Sequence, residues 1–267
     1  MDALNAALGL EPGLLPKLFF EANLLLLFGI CLIHSLSTHG WARTLREFIG
    51  GFALTTCAES AGVLSGAYVY PGFQFYILAT PVGNPAAWVA LVYIIMAVSD
   101  RIVFGQHALH TDSSTLIRQG SFLKTLAILA LCDATLALAM DLVLDPLATI
   151  YNWWIWVPSV AGTHTIGAGV VDPYNFDHLV WMVTPENPLA DFFAPFFEGG
   201  FRYPTRVLGI PLINFIAWFV FVLVFTSQFR FVESRKDWSQ WKRTWVLWSI
   251  IALDIPILSF ALISPNI

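Results

Sequence analysis

Charge is what this chain has least of. Only 12% of its 267 residues are Asp, Glu, Lys or Arg, against roughly a quarter in an ordinary soluble domain. The 13 basic residues form no cluster resembling a nucleic-acid surface, so no nucleic-acid partner is expected. Cysteine is scarce. Cys31, Cys57 and Cys132 stand singly inside apolar runs, without the close spacing of a metal site or a disulfide framework, and read as small packing residues. His34, His39, His107, His110, His164 and His178 show no metal-ligand spacing either. There is no phosphate loop, nucleophile elbow or paired-cysteine motif, no internal repeat and no low-complexity tract. The N-terminus lacks a basic n-region and its apolar run continues too long for a cleavable signal peptide.

What the chain does have is apolar length. Hydrophobic residues make up 57% of it, and its mean hydropathy is +0.71. Interrupted apolar runs of about 20 residues match the reach of a bilayer-crossing helix, while the dyad alternation of a membrane barrel is missing. The expected fold is an all-α polytopic membrane helical bundle, a single integral-membrane domain over residues 1–267, multi-pass in the cell membrane and in contact with lipid. Six spans are predicted, at 15–36, 46–66, 86–105, 121–144, 208–230 and 244–263. Oligomeric state is not legible.

Basic residues orient the bundle. Arg43, Arg46, Arg101, Arg118, Lys124, Arg230, Arg235, Lys236, Lys242 and Arg243 fall on one side, and Lys17, Arg202 and Arg206 on the other. The first side is expected to be cytoplasmic and both termini non-cytoplasmic. The segment between spans four and five, 145–207, is too long for a plain connector. It carries Trp153, Trp154, Trp156 and Trp181, then Phe192, Phe193, Phe196 and Phe197. It is expected to lie on or dip into the membrane, as an interfacial cap or as a lid over a lipid-facing cavity, with residues about 157–198 forming an interfacial insertion.

Four carboxylates interrupt the apolar runs: Glu59, Asp133, Asp141 and Asp254. A charge at bilayer depth costs at least a few kcal/mol, so such residues face the protein interior and often mark a working site. In span two, Gly51, Thr55 and Glu59 recur at i, i+4 and i+8, and small residues at this spacing permit close helix contact. In span four, Asp133, Asp141 and Asp145 fall within about 120° of arc at about 100° per residue. Pro146 follows Asp145 and should end the helix there. Asn214 and Trp218 share a face of span five, where an Asn also suits a structural bond between helices. Glu59, Asp141, Asp145, Asn214 and Glu21 all fall in the outer halves of their spans. Asp133 and Asp254 lie nearer the middle, and Asp100-Arg101 suits an interfacial or ion-paired role.

Two or more buried carboxylates do not ionise together cheaply, and environments that separate two acids define an acid and a base. Aromatic faces stabilise a nearby cation. Acid, base and aromatic lining in a membrane suit proton-initiated chemistry on an apolar polyene. They also suit a proton-coupled carrier, although the repeats and mid-membrane broken helices of many transporters are not evident. A pigment-binding subunit with structural carboxylates is a further reading.

Three blocks resemble a known family, in family order: Glu59-Ser60-Ala61-Gly62 with Gly66-Ala67-Tyr68-Val69-Tyr70; Asp141-Leu142-Val143-Leu144-Asp145-Pro146 with Trp154-Ile155-Trp156; and Gly209-Ile210-Pro211-Leu212-Ile213-Asn214-Phe215-Ile216-Ala217-Trp218. They look like the membrane carotenoid-biosynthesis hydratases, which include γ-carotene 1′,2′-hydratases and bisanhydrobacterioruberin hydratases. The resemblance implies addition of water across the terminal double bond of an acyclic carotenoid or related isoprenoid, giving a tertiary alcohol. Residues and resemblance together suggest Glu59, Asp141, Asp145 and Asn214 as catalytic, and Tyr68, Tyr70, Trp154, Trp156 and Trp218 as substrate-binding. Glu59 or Asp141 would protonate the alkene, while Asp145 with Asn214 would position and deprotonate water. No metal ion or redox cofactor is expected. A carotenoid cyclase or isomerase would use the same protonation and release the cation without water.

Overall fold

The computed structural model describes residues 14–64, 68–70, 72–151, 153–156, 206–208 and 210–263. In chain order, α1 (Leu14–His39) and α2 (Trp41–Leu64) are followed by the short strands β1 (Tyr68–Val69), β2 (Tyr76–Ile77) and β3 (Thr80–Pro81). Next come α3 (Gly83–Phe104), α4 (His107–His110), α5 (Ser113–Gln119) and α6 (Phe122–Ile150). After β4 (Ile155–Trp156), β5 (Arg206–Val207) and β6 (Ile210–Pro211), α7 (Leu212–Ser234) and α8 (Gln240–Ile263) complete the bundle. The strands pair as β1 with β4, β2 with β3 and β5 with β6, all antiparallel.

Six long helices stand where six spans are expected, and the fold is an all-α membrane bundle. Stretches of α1, α3, α6 and α7 are long and apolar enough to cross a membrane, over Leu15–His39, Gly83–Phe104, Phe122–Thr149 and Asn214–Ser234. Their outer faces carry large apolar side chains such as Leu26, Ile30, Ile33, Ile102, Leu131 and Val143. At 24 residues each, α2 and α8 reach about 36 Å at 1.5 Å per residue. Gly40, at φ +77°, occupies the left-handed conformation that separates α1 from α2.

Polar side chains place α2 in the interior. Thr44, Arg46, Glu47, Thr55, Thr56, Glu59 and Ser60 on it are all buried, and it packs against α1, α3 and α8. The largest core joins Leu54 of α2, Val92 and Met96 of α3, Ala137 of α6, Phe221, Phe225 and Phe229 of α7, and Leu247 and Ile251 of α8. Cys31 joins a second cluster with Phe48, Val89, Ala90 and Tyr93. In lipid, close packing and interhelical hydrogen bonds hold such a bundle, because burying apolar surface against another helix gains little over burying it in hydrocarbon.

One end of the bundle is ionic. Arg230 bonds Asp133 through Nε at 2.8 Å and Asp100 through Nη1 at 2.6 Å, and Ser99 donates to Asp133. Arg46 meets Glu233 at 2.7 Å, and Arg243 meets it at 3.3 Å. Asp112 bridges Arg43 and Lys236, each at 2.8 Å. Asp100 is therefore ion-paired, as its position at the end of span three suggests, and Asp133 is satisfied by a cation.

Pro146 corrects the expected end of span four. The helix runs through it to Ile150, although an interior proline costs about 3 kcal/mol and disfavours helix at the residue before it. Burial of Asp145, Ala148 and Thr149 holds the last turns against that cost. Asp145 thus keeps its helical register with Asp141. The interfacial insertion expected over 157–198 lies outside the described residues, with Trp181 and the Phe192–Phe197 group.

Candidate active site

At the end of the bundle opposite the ion pairs, α2 brings up Glu59, only 6% exposed. Its Oε2 accepts the phenol hydrogen of Tyr70 at 2.6 Å and that of Tyr68 at 2.7 Å. Both tyrosines lie just past the end of α2, and Tyr68 in β1 stands opposite Trp156 in β4. The ring of Tyr68 crosses α2 at Gly62, where a Cβ would lie 2.7 Å from Cζ of the tyrosine. Only a residue without a side chain admits that approach.

The connection that carries the tyrosines is tied down on both flanks. Ala79 N–H donates to Ser60 Oγ at 3.2 Å, and Tyr76 Oη donates to the Tyr70 carbonyl at 2.5 Å. Asn84, at the start of α3, donates Nδ2 to Tyr70 Oη at 2.6 Å. Burial, reinforced by the Glu59 carboxylate, holds the Tyr70 phenol well above its ordinary pKa. Tyr70 therefore stays protonated and keeps its role as an O–H donor.

Asp141 and Asp145 face inward from adjacent turns of α6, 2% and 3% exposed. Asn214, in the first turn of α7, donates Nδ2 to Oδ2 of Asp141 at 3.1 Å and also to Oδ2 of Asp145. One amide nitrogen thus bridges two carboxyl groups. Glu59 is close enough to act on both electrostatically, and Asp145 acts likewise on Tyr70. Among the described residues, none of the ion pairs includes Glu59, Asp141 or Asp145. Nor are three His, Cys, Asp or Glu side chains among them arranged to hold a metal ion.

Aromatic faces close the wall. Tyr68 and Tyr70 meet edge to face at 5.5 Å between centroids, and Trp154 meets Tyr70 at 6.1 Å. Tyr68 and Trp154 also pack on Ile210 and Phe215. Three carboxyl groups, two phenols, two amides and a tryptophan share one buried place, equipped to move a proton beside an apolar guest.

The sequence model of the family described as carotenoid biosynthesis protein matches residues 20–175, more than half of the chain. The chain belongs to the carotenoid biosynthesis protein family. No curated protein and no solved structure matches it. A role in carotenoid biosynthesis follows from the family, and the apolar helices fit a hydrophobic substrate and membrane lipid. Glu59, Tyr68, Tyr70, Asp141, Asp145 and Trp154 lie inside the matched stretch, while Asn214 and Trp218 lie beyond it.

In this carotenoid biosynthesis protein the remaining residues singled out from sequence are distributed differently. Trp218 lies one turn past Asn214 and stacks on Trp88, with Phe221 against its edge. Trp156 is placed by its backbone in β4, and its side chain lies outside the described residues. Glu21 is buried against Gly83, and Asp254 sits on α8. Sequence reading passed over Asn84, Trp88 and Tyr76. Asn84 lies between Gly83 and Pro85; the signal that could have found it is a lone amide opening an apolar run, level with Glu59.

Proposed function

We propose that the protein is a carotenoid hydratase. It adds water across the terminal C=C of an acyclic carotenoid end group and yields a tertiary alcohol by acid–base chemistry. The observation that carries this reading is the presence, in one aromatic-walled interior, of two carboxyl sets with different hydrogen-bond partners. Oε2 of Glu59 accepts two phenol hydrogens, an arrangement that suits an ionised carboxylate. Asp141 and Asp145 divide one amide between them, and a single proton shared by the pair relieves the repulsion of two like charges.

In this reading the pair is the acid and Glu59 the base. That departs from the sequence expectation both for Asp145, expected to deprotonate water, and for Glu59, expected with Asp141 as a candidate acid. The alkene π electrons take the proton from the Asp pair to form a C–H bond at the less substituted carbon. The tertiary cation that results lies beside Tyr68, Tyr70 and Trp154, whose π faces attract it. Water forms the C–O bond, and Glu59 takes the released proton. Passing that proton back to the Asp pair resets the site. Hydration changes no net oxidation state, so the step needs no redox partner. General acid–base assistance of this kind contributes roughly 10²–10⁴-fold in rate.

The ten-to-three excess of basic residues supports an orientation with the ionic end cytoplasmic, the carboxylates in the outer half and both termini on the non-cytoplasmic side. Expression in a carotenoid-free bacterial host supplied with lycopene or γ-carotene, followed by mass spectrometry of the pigments, tests the reaction. A product heavier by one water, lost in Glu59→Gln, is expected. A new product of unchanged mass would replace hydration with cyclisation or isomerisation. Unchanged pigment that co-purifies with the folded protein would point to a binding role.

A further inference from the structure

Two indoles stand beneath the two amides of the site. Trp88 follows Asn84 by one turn of α3, and Trp218 follows Asn214 by one turn of α7. Their rings stack with 12° between the planes. Phe221 braces Trp218 edge-on at 5.5 Å, and Trp218 packs on the largest core below. Trp88 borders a small void on its core side, with Val92 and Phe225. The stack therefore closes the site off from the core.

Helix direction draws the indoles and the acids towards one layer. A helical side chain leans towards the N-terminus of its own helix. Helices α3 and α7 begin at the site end, so Trp88 and Trp218 lean towards the carboxyl groups. Helices α2 and α6 finish there, so Glu59, Asp141 and Asp145 lean towards the indoles. Four residues of helix rise about 6 Å, and the opposed leanings shorten that gap. A methyl carbon in contact with the ring stack stands about 3.5–4 Å above it, and the alkene carbon bonded to it then lies level with the carboxyl groups.

We infer that the Trp88–Trp218 stack is the floor on which the substrate's end group rests, and that it confines reaction to the terminal C=C. This rests on the hydratase reading. The polyene enters end-on, with its terminal methyls against the indoles. The floor stops it there, so double bonds further along the chain stay beyond the acid. The cation that forms also lies over an indole, the best of the aromatic faces for a cation.

The position of the new hydroxyl tests this. Phytoene is an acyclic carotenoid whose outer double bonds are isolated and equally substituted, so depth alone distinguishes them. An indole exceeds an isoprene unit in bulk, so Trp88→Ala lets the end group sink and brings the next double bond to the acid. The wild-type full chain is expected to form the terminal alcohol, located by mass-spectrometric fragmentation. Trp88→Ala should raise the share of the interior alcohol at least about tenfold, within the range over which a pocket discriminates by bulk. A wild type that hydrates both positions equally, or a folded Trp88→Ala protein with the wild-type share, would overturn the inference. Where no alcohol forms, or Trp88→Ala does not fold, a phytoene analogue with a diazirine on its terminal carbon decides. Photolysis of its complex with wild type should label Trp88 or Trp218, identified by peptide mass spectrometry; labelling of neither overturns the floor. No water adduct from phytoene or lycopene removes hydration and leaves this labelling to decide the floor.

Discussion

Tyr70 donates its phenol hydrogen to Oε2 of Glu59 across 2.6 Å, while Asn84 donates to the same phenol oxygen at 2.6 Å. Tyr70→Phe removes the donor and leaves the buried amide of Asn84 without that acceptor. Hydration should fall about 10²-fold, the scale of losing one preorganised donor, with helical content retained. The pH dependence has a definite sign. Burial and Glu59 raise the phenol's pKa, so Tyr70 remains protonated through neutral and mildly alkaline pH. The rate profile of the wild type should therefore show no phenol ionisation below about pH 10, the ordinary tyrosine value. A basic limb below that point which vanishes in Tyr70→Phe would refute the donor role.

Asp141, Asp145 and Asn214 should behave as one unit. Groups that act together are grossly non-additive on removal. Asp141→Asn and Asp145→Asn are each expected to lower turnover about 10²–10⁴-fold, and the double variant should be no worse than the poorer single one. Losses that multiply in the double variant would show two independent roles.

Gly62 tests whether Tyr68 must lie over α2. Its missing Cβ is the space the phenol ring occupies, so Gly62→Ala should displace the ring and cut turnover at least about tenfold, a loss of about 1.4 kcal/mol in transition-state stabilisation. Tyr68→Phe should lose activity to a comparable degree, and the two changes together should add little, as for residues in contact. A Gly62→Ala enzyme at full rate would remove Tyr68 from the working arrangement.

The six helices were legible because lipid demands long apolar runs, and runs that long have few other uses in a chain of this size. The helical period also placed Asp141 and Asp145 on a common face, where Asn214 meets them. Asp133 shares that arc and reads the same way in sequence. What separates it is Arg230, 97 residues away, and no local pattern announces a cation that arrives from another helix. Pro146 misled in the opposite sense: its local preference to stop a helix is real, yet burial of the following turn overrides it. Trp88 and Tyr76 lay hidden among 22 Phe, 11 Trp and 7 Tyr, because aromatic residues in a membrane protein more often anchor or pack than act.

Asp133 and Arg230 give a stability test separate from the chemistry. Asp133 is fully buried and accepts from Arg230 at 2.8 and 3.0 Å. Asp133→Ala leaves the guanidinium with Asp100 as its remaining carboxylate and should cost about 3–5 kcal/mol, the penalty of stranding half of a buried pair. Exchanging both partners, Asp133→Leu with Arg230→Met, should recover most of it, read as thermal midpoints in detergent. A double variant as unstable as Asp133→Ala would mean that the ionic network itself is required for the bundle.

Asp112 supplies the pH dependence of that ionic end. It lies in the loop before α5 and binds Arg43 and Lys236 at 2.8 Å each, with Ser114 donating as well. Partial burial works against its ionisation, but Arg43, Lys236 and Ser114 outweigh that and hold its pKa below the ordinary value. A carboxyl whose pKa is depressed on folding stabilises the fold fully above its unfolded value, about 3.9. That contribution is lost as pH falls below it towards the folded value. With 32% of the Asp112 side chain exposed, solvent screening limits its worth to about 1 kcal/mol. Asp112→Asn should therefore lower the thermal midpoint at pH 7 and at pH 5 alike, and its gap to wild type should narrow as pH drops below about 4. Added salt should narrow the gap at pH 7 as well, because exposed pairs are screened. A gap that persists undiminished at about pH 3 would assign the stabilisation to packing rather than charge.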